Sequence, residues 1–201
     1  MKKRVFISFL LALSFLTAEA KAGFGVRSGF SYASLTQILD DQVTYGGRIG
    51  FSVAGLLDIP VSSKFSLRPE IALMSQGGTY WLEYMPDNQW RFVREKHRSI
   101  YYSIQAPINI AYKINVGDWQ FGACGGPFVS LSTRFREKGA LNERNFRPFD
   151  IGAGVGLYVQ RQHIFCSIYS QTGFLDRLTR KQPGESQLYQ NNVTLSFGYW
   201  F

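Results

Sequence analysis

The chain has 201 residues, of which 45% are hydrophobic, 16% aromatic and 18% charged, and its formal net charge is +8. This length allows one ordinary domain or one barrel, and the aliphatic and aromatic content excludes a disordered chain. In an exported protein, a moderate positive excess favours an anionic membrane surface as partner over nucleic acid.

The first element along the chain is a secretory signal peptide, which we predict over residues 1–22. Residues 1–4 are cationic, residues 5–16 are apolar, and Ala18, Ala20 and Ala22 follow. Cleavage is expected after Ala20 or Ala22, because both positions end an Ala-X-Ala triplet. The apolar stretch is shorter than the roughly 20 residues that a membrane-spanning helix needs. We therefore expect the folded domain over residues 23–201.

Alternation of apolar and polar residues predicts eight strands in this domain. The clearest case is residues 99–114, where isoleucine and tyrosine alternate with serine, glutamine and asparagine. In chain order the predicted strands lie near residues 24–34, 45–57, 65–73, 99–114, 119–131, 149–159, 163–173 and 192–201.

The connections between these strands alternate in length. Residues 58–63, 115–118 and 161–162 are short, whereas residues 35–44, 79–98, 132–148 and 174–190 are long. Short periplasmic turns and long extracellular loops are typical of outer-membrane barrels. We therefore predict an all-β fold, an eight-stranded antiparallel transmembrane β-barrel in the bacterial outer membrane. The alternative is a soluble β-sandwich or lipocalin-like barrel.

The last predicted strand favours the membrane barrel. It places Phe197, Tyr199 and Phe201 on one face and ends on an aromatic residue, as the assembly signals of outer-membrane proteins do. We expect these three residues to engage the barrel-assembly machinery.

Prolines and cysteines give two further expectations. Pro69, Pro107 and Pro127 lie inside predicted strands, where each removes a ladder hydrogen bond, so we expect bulges or shifted registers. Cys124 and Cys166 lie on the fifth and seventh strands, too far apart for a disulfide, so we expect free thiols.

Five short segments carry a family resemblance. They are LRPEIAL leading to Gly77 and Gly78, YSIQAPINI, GACGGP, DIGAG and LSFGYWF, at residues 67–78, 102–110, 122–127, 150–154 and 195–201. In this order the chain resembles the PorT-like outer-membrane β-barrel family of Bacteroidetes. The resemblance implies prolines within strands, and the member that names the family takes part in protein secretion. A shared fold does not by itself transfer that role.

Charged residues on the polar face are predicted to line the lumen. An eight-stranded barrel has an interior filled by its own side chains, so such charges must pair or be hydrated. We interpret them as an ion-pair network that closes the lumen; the alternative is a path for a solute or protons. Glu70 is expected to pair with Arg68 or with an arginine across the bore. The predicted network is Arg27, Arg48, Arg68, Glu70 and Asp150, with Lys113 near the periplasmic end and Met74 and Phe128 as filling.

Candidate chemistry is sparse. Gly152, Gly154 and Gly156 lack the spacing and the helix of a dinucleotide loop, and we expect them to make room for large lumen side chains. His97 and His163 lack a serine and a carboxylate at a distinctive spacing. We therefore predict no enzyme, no cofactor and no metal site.

The long loops indicate either contacts with partners or, for the basic loop, a solvated surface. Residues 132–148 carry a net charge of +3, and residues 81–92 are rich in aromatic side chains, which indicates either an extension of the hairpin or a contact surface. We expect outer-membrane lipid, lipopolysaccharide and a protein at the extracellular loops as partners, and no nucleic acid. The predicted function is a membrane-anchored structural or interaction protein. A narrow channel, a lipid-modifying enzyme and a secretion component are the alternatives.

Overall fold

A computed structural model describes residues 22–38, 44–84, 93–133, 146–179 and 187–201. The predicted signal peptide lies outside these ranges except for Ala22. No helix within them is long and apolar enough to cross a bilayer. The strands are β1 (Gly23–Ile38), β2 (Thr44–Gly46), β3 (Arg48–Pro60), β4 (Phe65–Tyr84), β5 (Val93–Val116), β6 (Trp119–Ser132), β7 (Phe149–Arg161), β8 (Ile164–Gly173) and β9 (Gln187–Trp200).

Antiparallel pairing closes the sheet into an eight-stranded barrel. Successive long strands pair along the chain, and β1 pairs with β9 from Gly25 opposite Trp200 to Ile38 opposite Gln187. The short β2 continues β3 beyond Gly47 and pairs with β4. Closure gives each barrel strand two hydrogen-bonded neighbours, which removes the open edges of the sheet. The predicted fold class is confirmed.

Alternation along each strand separates two faces. On β5, Ile104 and Ile110 are 55% and 61% exposed, whereas Gln105 and Asn109 between them are each 1% exposed. The outer face is an apolar belt of the kind that contacts lipid, and the inner face is polar. The two faces are those that the sequence pattern predicts.

The three prolines interrupt ladders without shifting any register. The β3–β4 ladder skips the two pairs beside Pro69, the β4–β5 ladder skips those beside Pro107, and the β5–β6 ladder skips those beside Pro127. Pairing resumes in the same register in each case, so the prediction of bulges or shifted registers at these prolines is wrong. An offset of one residue does occur near Gly47, because five residues lie between Gly46 and Ser52 while four lie between their partners Thr79 and Met74.

Two of the predicted long loops are partly structured. The hairpin of β4 and β5 continues to Tyr84 and resumes at Val93, so most of residues 79–98 is strand rather than loop. Its pairing supports the hairpin-extension alternative. Residues 174–179, predicted as loop, return to the barrel mouth, where Phe174 N donates to Ile151 O.

Candidate functional site: the polar lumen

Arg27 and Glu70 form an ion pair inside the barrel. Glu70 Oε2 accepts hydrogen bonds from Arg27 Nε at 3.1 Å and from Arg27 Nη2 at 2.9 Å. The two side chains are 7% and 10% exposed. The lumen therefore brings together two charges from β1 and β4, which are separated in the sheet by β3.

Hydrogen bonds extend this pair into a belt across the lumen. Arg27 Nη1 donates to Ser196 Oγ at 2.9 Å, and Asn109 Nδ2 donates to Glu70 Oε1 at 3.3 Å. Tyr169 OH then donates to Asn109 Oδ1 at 2.6 Å. We call these five residues the lumen belt. It joins β9, β1, β4, β5 and β8, and the bond from Tyr169 spans the bore past β6 and β7.

Glycines on β7 make room for Tyr169. A Cβ atom on Gly154 would lie 2.6 Å from the Tyr169 ring, and one on Gly156 would lie 2.5 Å from it. A Cβ on Gly152 would lie 2.5 Å from the Phe128 ring. The prediction that these inward glycines accommodate large lumen side chains is confirmed. Because Gly154 and Gly156 have no side chain, the Tyr169 ring can lie against β7 and still reach Asn109.

A second charged group lies at the end of the barrel with short turns. Asp58 Oδ1 accepts hydrogen bonds from Arg68 Nε and from Ser66 Oγ, at 2.6 Å and 2.7 Å. Lys113 Nζ is bonded to the other carboxylate oxygen. The Arg68 guanidinium also lies 4.2 Å from the centroid of the Tyr158 ring. The Asp58 carboxylate thus forms ion pairs with cations from both β4 and β5.

A third group lies at the opposite end, beneath the long loops. Arg177 is fully buried, with Nη1 at 3.4 Å from Asp150 Oδ2 and Nη2 donating to Ser132 Oγ at 2.7 Å. Its guanidinium lies 4.5 Å from the Phe146 ring centroid and 5.3 Å from that of Tyr101. Parts of two long loops, residues 146–148 and 174–179, therefore fold into the mouth around Arg177.

The predicted lumen residues consequently fall into separate groups. Arg27 and Glu70 form one, Arg68 belongs with Asp58, and Asp150 belongs with Arg177. Arg48 donates to Ser75 Oγ and Gln76 O, both at 2.9 Å. Lys113 lies near the short turns, as predicted. Glu70 binds neither Arg68 nor an arginine from the opposite wall; its partner is two strands away.

Sequence reasoning missed Asp58 and Arg177. Asp58 lies in the predicted short connection of residues 58–63, yet it belongs to β3 and occupies the polar face. The excess of predicted lumen cations over acids indicates a further inward carboxylate, which is Asp58. Arg177 lies in a segment with no period-two alternation, so the sequence pattern gives no signal for it.

The remaining space near the lumen belt is small. A cavity of about 30 Å³ is lined in part by Arg27, Arg68, Glu70, Cys124 and Tyr169. This volume is enough for a water molecule, which needs at least about 10–15 Å³ measured in this way. Cys124 and Cys166 are free thiols. In the described residues no cluster of three or more histidine, cysteine or acidic side chains could hold a metal ion.

The three residues of the last strand that we expect to act in assembly lie on the outer face. Phe197, Tyr199 and Phe201 are 58%, 44% and 70% exposed. Phe201 stacks on Phe24 with ring centroids 5.5 Å apart, and its backbone N donates to Phe24 O. These contacts lie at the seam where the strands closest to the two ends of the domain meet.

Comparison with known proteins identifies the fold. A family profile described as outer membrane protein beta-barrel domain matches residues 16–178. The outer membrane protein OprG from Pseudomonas aeruginosa is 11% identical, with a TM-score of 0.50 over 90% of this chain and 97% of that one. Neisserial surface protein A is 14% identical, with a TM-score of 0.49 over 90% and 99%. No curated protein sequence matches the chain significantly.

Proposed function

This chain belongs to the outer membrane protein β-barrel domain family and lies in the bacterial outer membrane, and from that premise we propose that it is a non-conducting barrel that serves as a membrane-anchored structural or interaction protein. Its lumen is closed by its own side chains. Its outer face holds it in the bilayer and leaves the long loops available to partners.

The observation that carries this proposal is the lumen belt. Five side chains from five strands are joined across the bore, and an eight-stranded barrel has an interior just wide enough for side chains. The Asp58 and Arg177 groups add a further layer on either side. A solute would have to displace buried, paired charges at three levels, which is costly unless each charge is compensated.

We propose that the protein is not an enzyme. His163, the histidine whose side chain is described, has Nδ1 at 2.9 Å from Trp200 O and stacks on Tyr199 with ring centroids 5.5 Å apart. Both contacts tie the ring to the barrel wall near a short turn. These contacts support a structural role for His163, so a lipid-modifying enzyme is the weaker alternative. A lipid A modification assay with the purified barrel would detect such an activity.

Conductance tests the closed lumen. The purified, folded protein in a planar bilayer should give no stable current steps. The double variant Arg27→Ala with Tyr169→Ala removes the two largest belt side chains and should give small steps. The double variant Ile104→Ala with Phe121→Ala removes side-chain volume from the outer face, where the two residues are 55% and 46% exposed, and serves as the control that should stay silent. Large, stable steps from the unmutated protein would contradict the proposal.

A second candidate is a PorT-like component of a protein secretion machine. The five sequence segments that resemble this family support it. Purification of the tagged barrel from native membranes, with mild crosslinking, distinguishes the candidates. Stoichiometric recovery of inner-membrane or secretion proteins would favour the machine, whereas recovery of lipid and surface partners alone would favour the anchored structural protein.

A further inference from the structure

We propose that Lys96 and Arg98, on the outer face of β5 above the apolar belt, bind the phosphate groups of a glycolipid in the outer leaflet. This inference concerns the outside of the barrel and is independent of whether the lumen conducts.

The position of these cations follows from the alternation of β5. Tyr102, Ile104 and Ile110 are 44%, 55% and 61% exposed on the outer face. The same face continues in two-residue steps through Ile100 to Arg98 and Lys96, both of which are exposed. The strand thus passes from lipid-facing isoleucines directly to two cations.

Their height matches the headgroup region. Tyr102 packs beside Phe51 with ring centroids 6.1 Å apart, and such outward aromatic residues mark the interface of a membrane barrel. Arg98 is four residues beyond Tyr102 on a strand that rises about 3.4 Å per residue with a tilt of about 40°, so it lies about 10 Å above the girdle. Long cationic side chains at this level extend their charge into the headgroups.

The residues paired directly with these two cations are uncharged. In the register of β4 and β5, Arg98 lies opposite Thr79 and Lys96 lies opposite Trp81, neither of which is acidic. Within the described residues neither cation has a carboxylate within ion-pair distance. Lys96 Nζ lies 5.4 Å from the centroid of the Trp81 ring, a contact that orients the ammonium group without neutralising it.

Described outward positions on other parts of the barrel are neutral at this rim. The outward positions nearest the long loops on β1, β6 and β9 include Thr36, Thr133 and Asn191, all neutral. Lys96 and Arg98 by contrast lie two residues apart on one strand face. Two neighbouring cations on one face favour a bound headgroup over a uniform attraction to the membrane surface.

Phosphate is the chemistry that fits. Lys96 and Arg98 stand about 6.8 Å apart, two residues along one strand face, and can contact neighbouring phosphate oxygens. Charge-assisted hydrogen bonds from lysine and arginine to phosphate are stronger than neutral ones. The occupant to which we commit is the phosphorylated headgroup of an outer-leaflet glycolipid, whose acyl chains would lie against the isoleucines below.

A binding experiment with defined ligands tests the site. The folded full-length domain in detergent is titrated with diphosphorylated lipid A, with the same lipid A after removal of both phosphates, and with inorganic phosphate. The variant Lys96→Gln with Arg98→Gln should bind diphosphorylated lipid A on the order of 30-fold more weakly, from the attraction that each membrane-proximal cation contributes. Arg98→Lys should retain binding, because it retains the charge.

Arg161 provides a matched control. Its guanidinium lies 5.3 Å from the Trp119 ring centroid, so Arg161→Gln removes a cation over tryptophan at the opposite end of the barrel. It should leave lipid A binding unchanged. All variants should show the heat-modifiable migration of the folded barrel. Equal binding of dephosphorylated lipid A, an equal loss in Arg161→Gln, or inorganic phosphate that competes at the affinity of lipid A would overturn the assignment to a glycolipid headgroup.

Discussion

Glu70 shows how a single buried carboxylate organises the lumen. Both of its oxygens are used, one by Arg27 and the other by Asn109, and Arg27 in turn reaches Ser196. The Glu70 side chain therefore compensates the charge of Arg27, which is 7% exposed. It also orients the Asn109 amide, whose oxygen accepts the hydrogen bond from Tyr169 OH. Loss of its charge would leave Arg27 with a neutral partner in a space with room for little water.

Replacement of Glu70 by glutamine should destabilise the barrel. Breaking a buried ion pair by removing one partner costs about 3 to 5 kcal/mol, and less where water enters. The midpoint of the loss of heat-modifiable migration should fall, with little change in membrane insertion. Adding Arg27→Met should recover part of the loss, because it removes the uncompensated charge. Asp118→Asn, in an exposed turn, is the control and should leave the midpoint unchanged. An unchanged midpoint for Glu70→Gln would show that the charge of Glu70 does not stabilise the barrel.

At the scale of elements, the segment of residues 174–179 behaves unlike a surface loop. Asp176 Oδ1 accepts hydrogen bonds from Leu178 N and Leu188 N, at 3.1 Å and 3.0 Å, which fixes the turn that inserts Arg177. Arg177 N donates to Leu188 O, so the segment is tied to the start of β9. Part of this long connection therefore lies at the mouth of the barrel and is held beside the start of β9.

The reactivity of the Cys124 thiol can test whether residues 174–179 limit access to the lumen. It lines the cavity at the lumen belt, beneath Arg177, and is a free thiol. In a Cys166→Ser background, Arg177→Ala should speed the reaction of Cys124 with a small water-soluble maleimide added from the loop side, because it removes the anchor of the segment. Phe65→Ala, on the outer face beside a short turn at the other end, should leave the rate unchanged. If Arg177→Ala reacts no faster than the parent, the segment does not control access to the lumen.

The elements also show what the sequence can and cannot predict. Period-two alternation in residues 99–114 identified β5 and its faces, because one residue of slip would turn the isoleucines inward. Alternation fixes a face but not a partner, so it could not select Arg27 rather than Arg68 for Glu70. The prediction of bulges or shifted registers at the three prolines failed because each proline removes a hydrogen bond from one ladder only. The flanking residue pairs keep the register. Arg177 lies in an irregular segment, for which alternation has no information.

At the scale of the whole molecule, the barrel depends on one seam between β1 and β9, at opposite ends of the domain sequence. Large inward side chains pack over glycines of the neighbouring strand at and beside this seam. A Cβ on Gly25 would lie 2.6 Å from the Trp200 ring of β9, and in the adjacent β8–β9 pair one on Gly198 would lie 2.2 Å from the Phe165 ring. Closure therefore requires small residues at particular positions as well as the correct apolar pattern. These glycines allow the wall to curve tightly while its interior is filled.

Gly29 is the most demanding position at the seam. A Cβ there would lie 2.0 Å from Leu195 O and 2.6 Å from Ser196 Cα, which are backbone atoms of β9 and cannot rotate away. Gly29→Ala should therefore hinder pairing of β1 with β9 and lower the heat-modifiable fraction. The expected loss of stability is at least that of an overpacked core, about 1–3 kcal/mol.

Gly55→Ala is the matched control on the neighbouring strand, because its Cβ would lie 3.9 Å from Phe24, an ordinary contact. Gly25→Ala should lie between them, since a ring can shift where a backbone cannot. Equal folded fractions for Gly29→Ala and Gly55→Ala would show that closure tolerates the extra atom and that the seam is wider than its backbone contacts indicate.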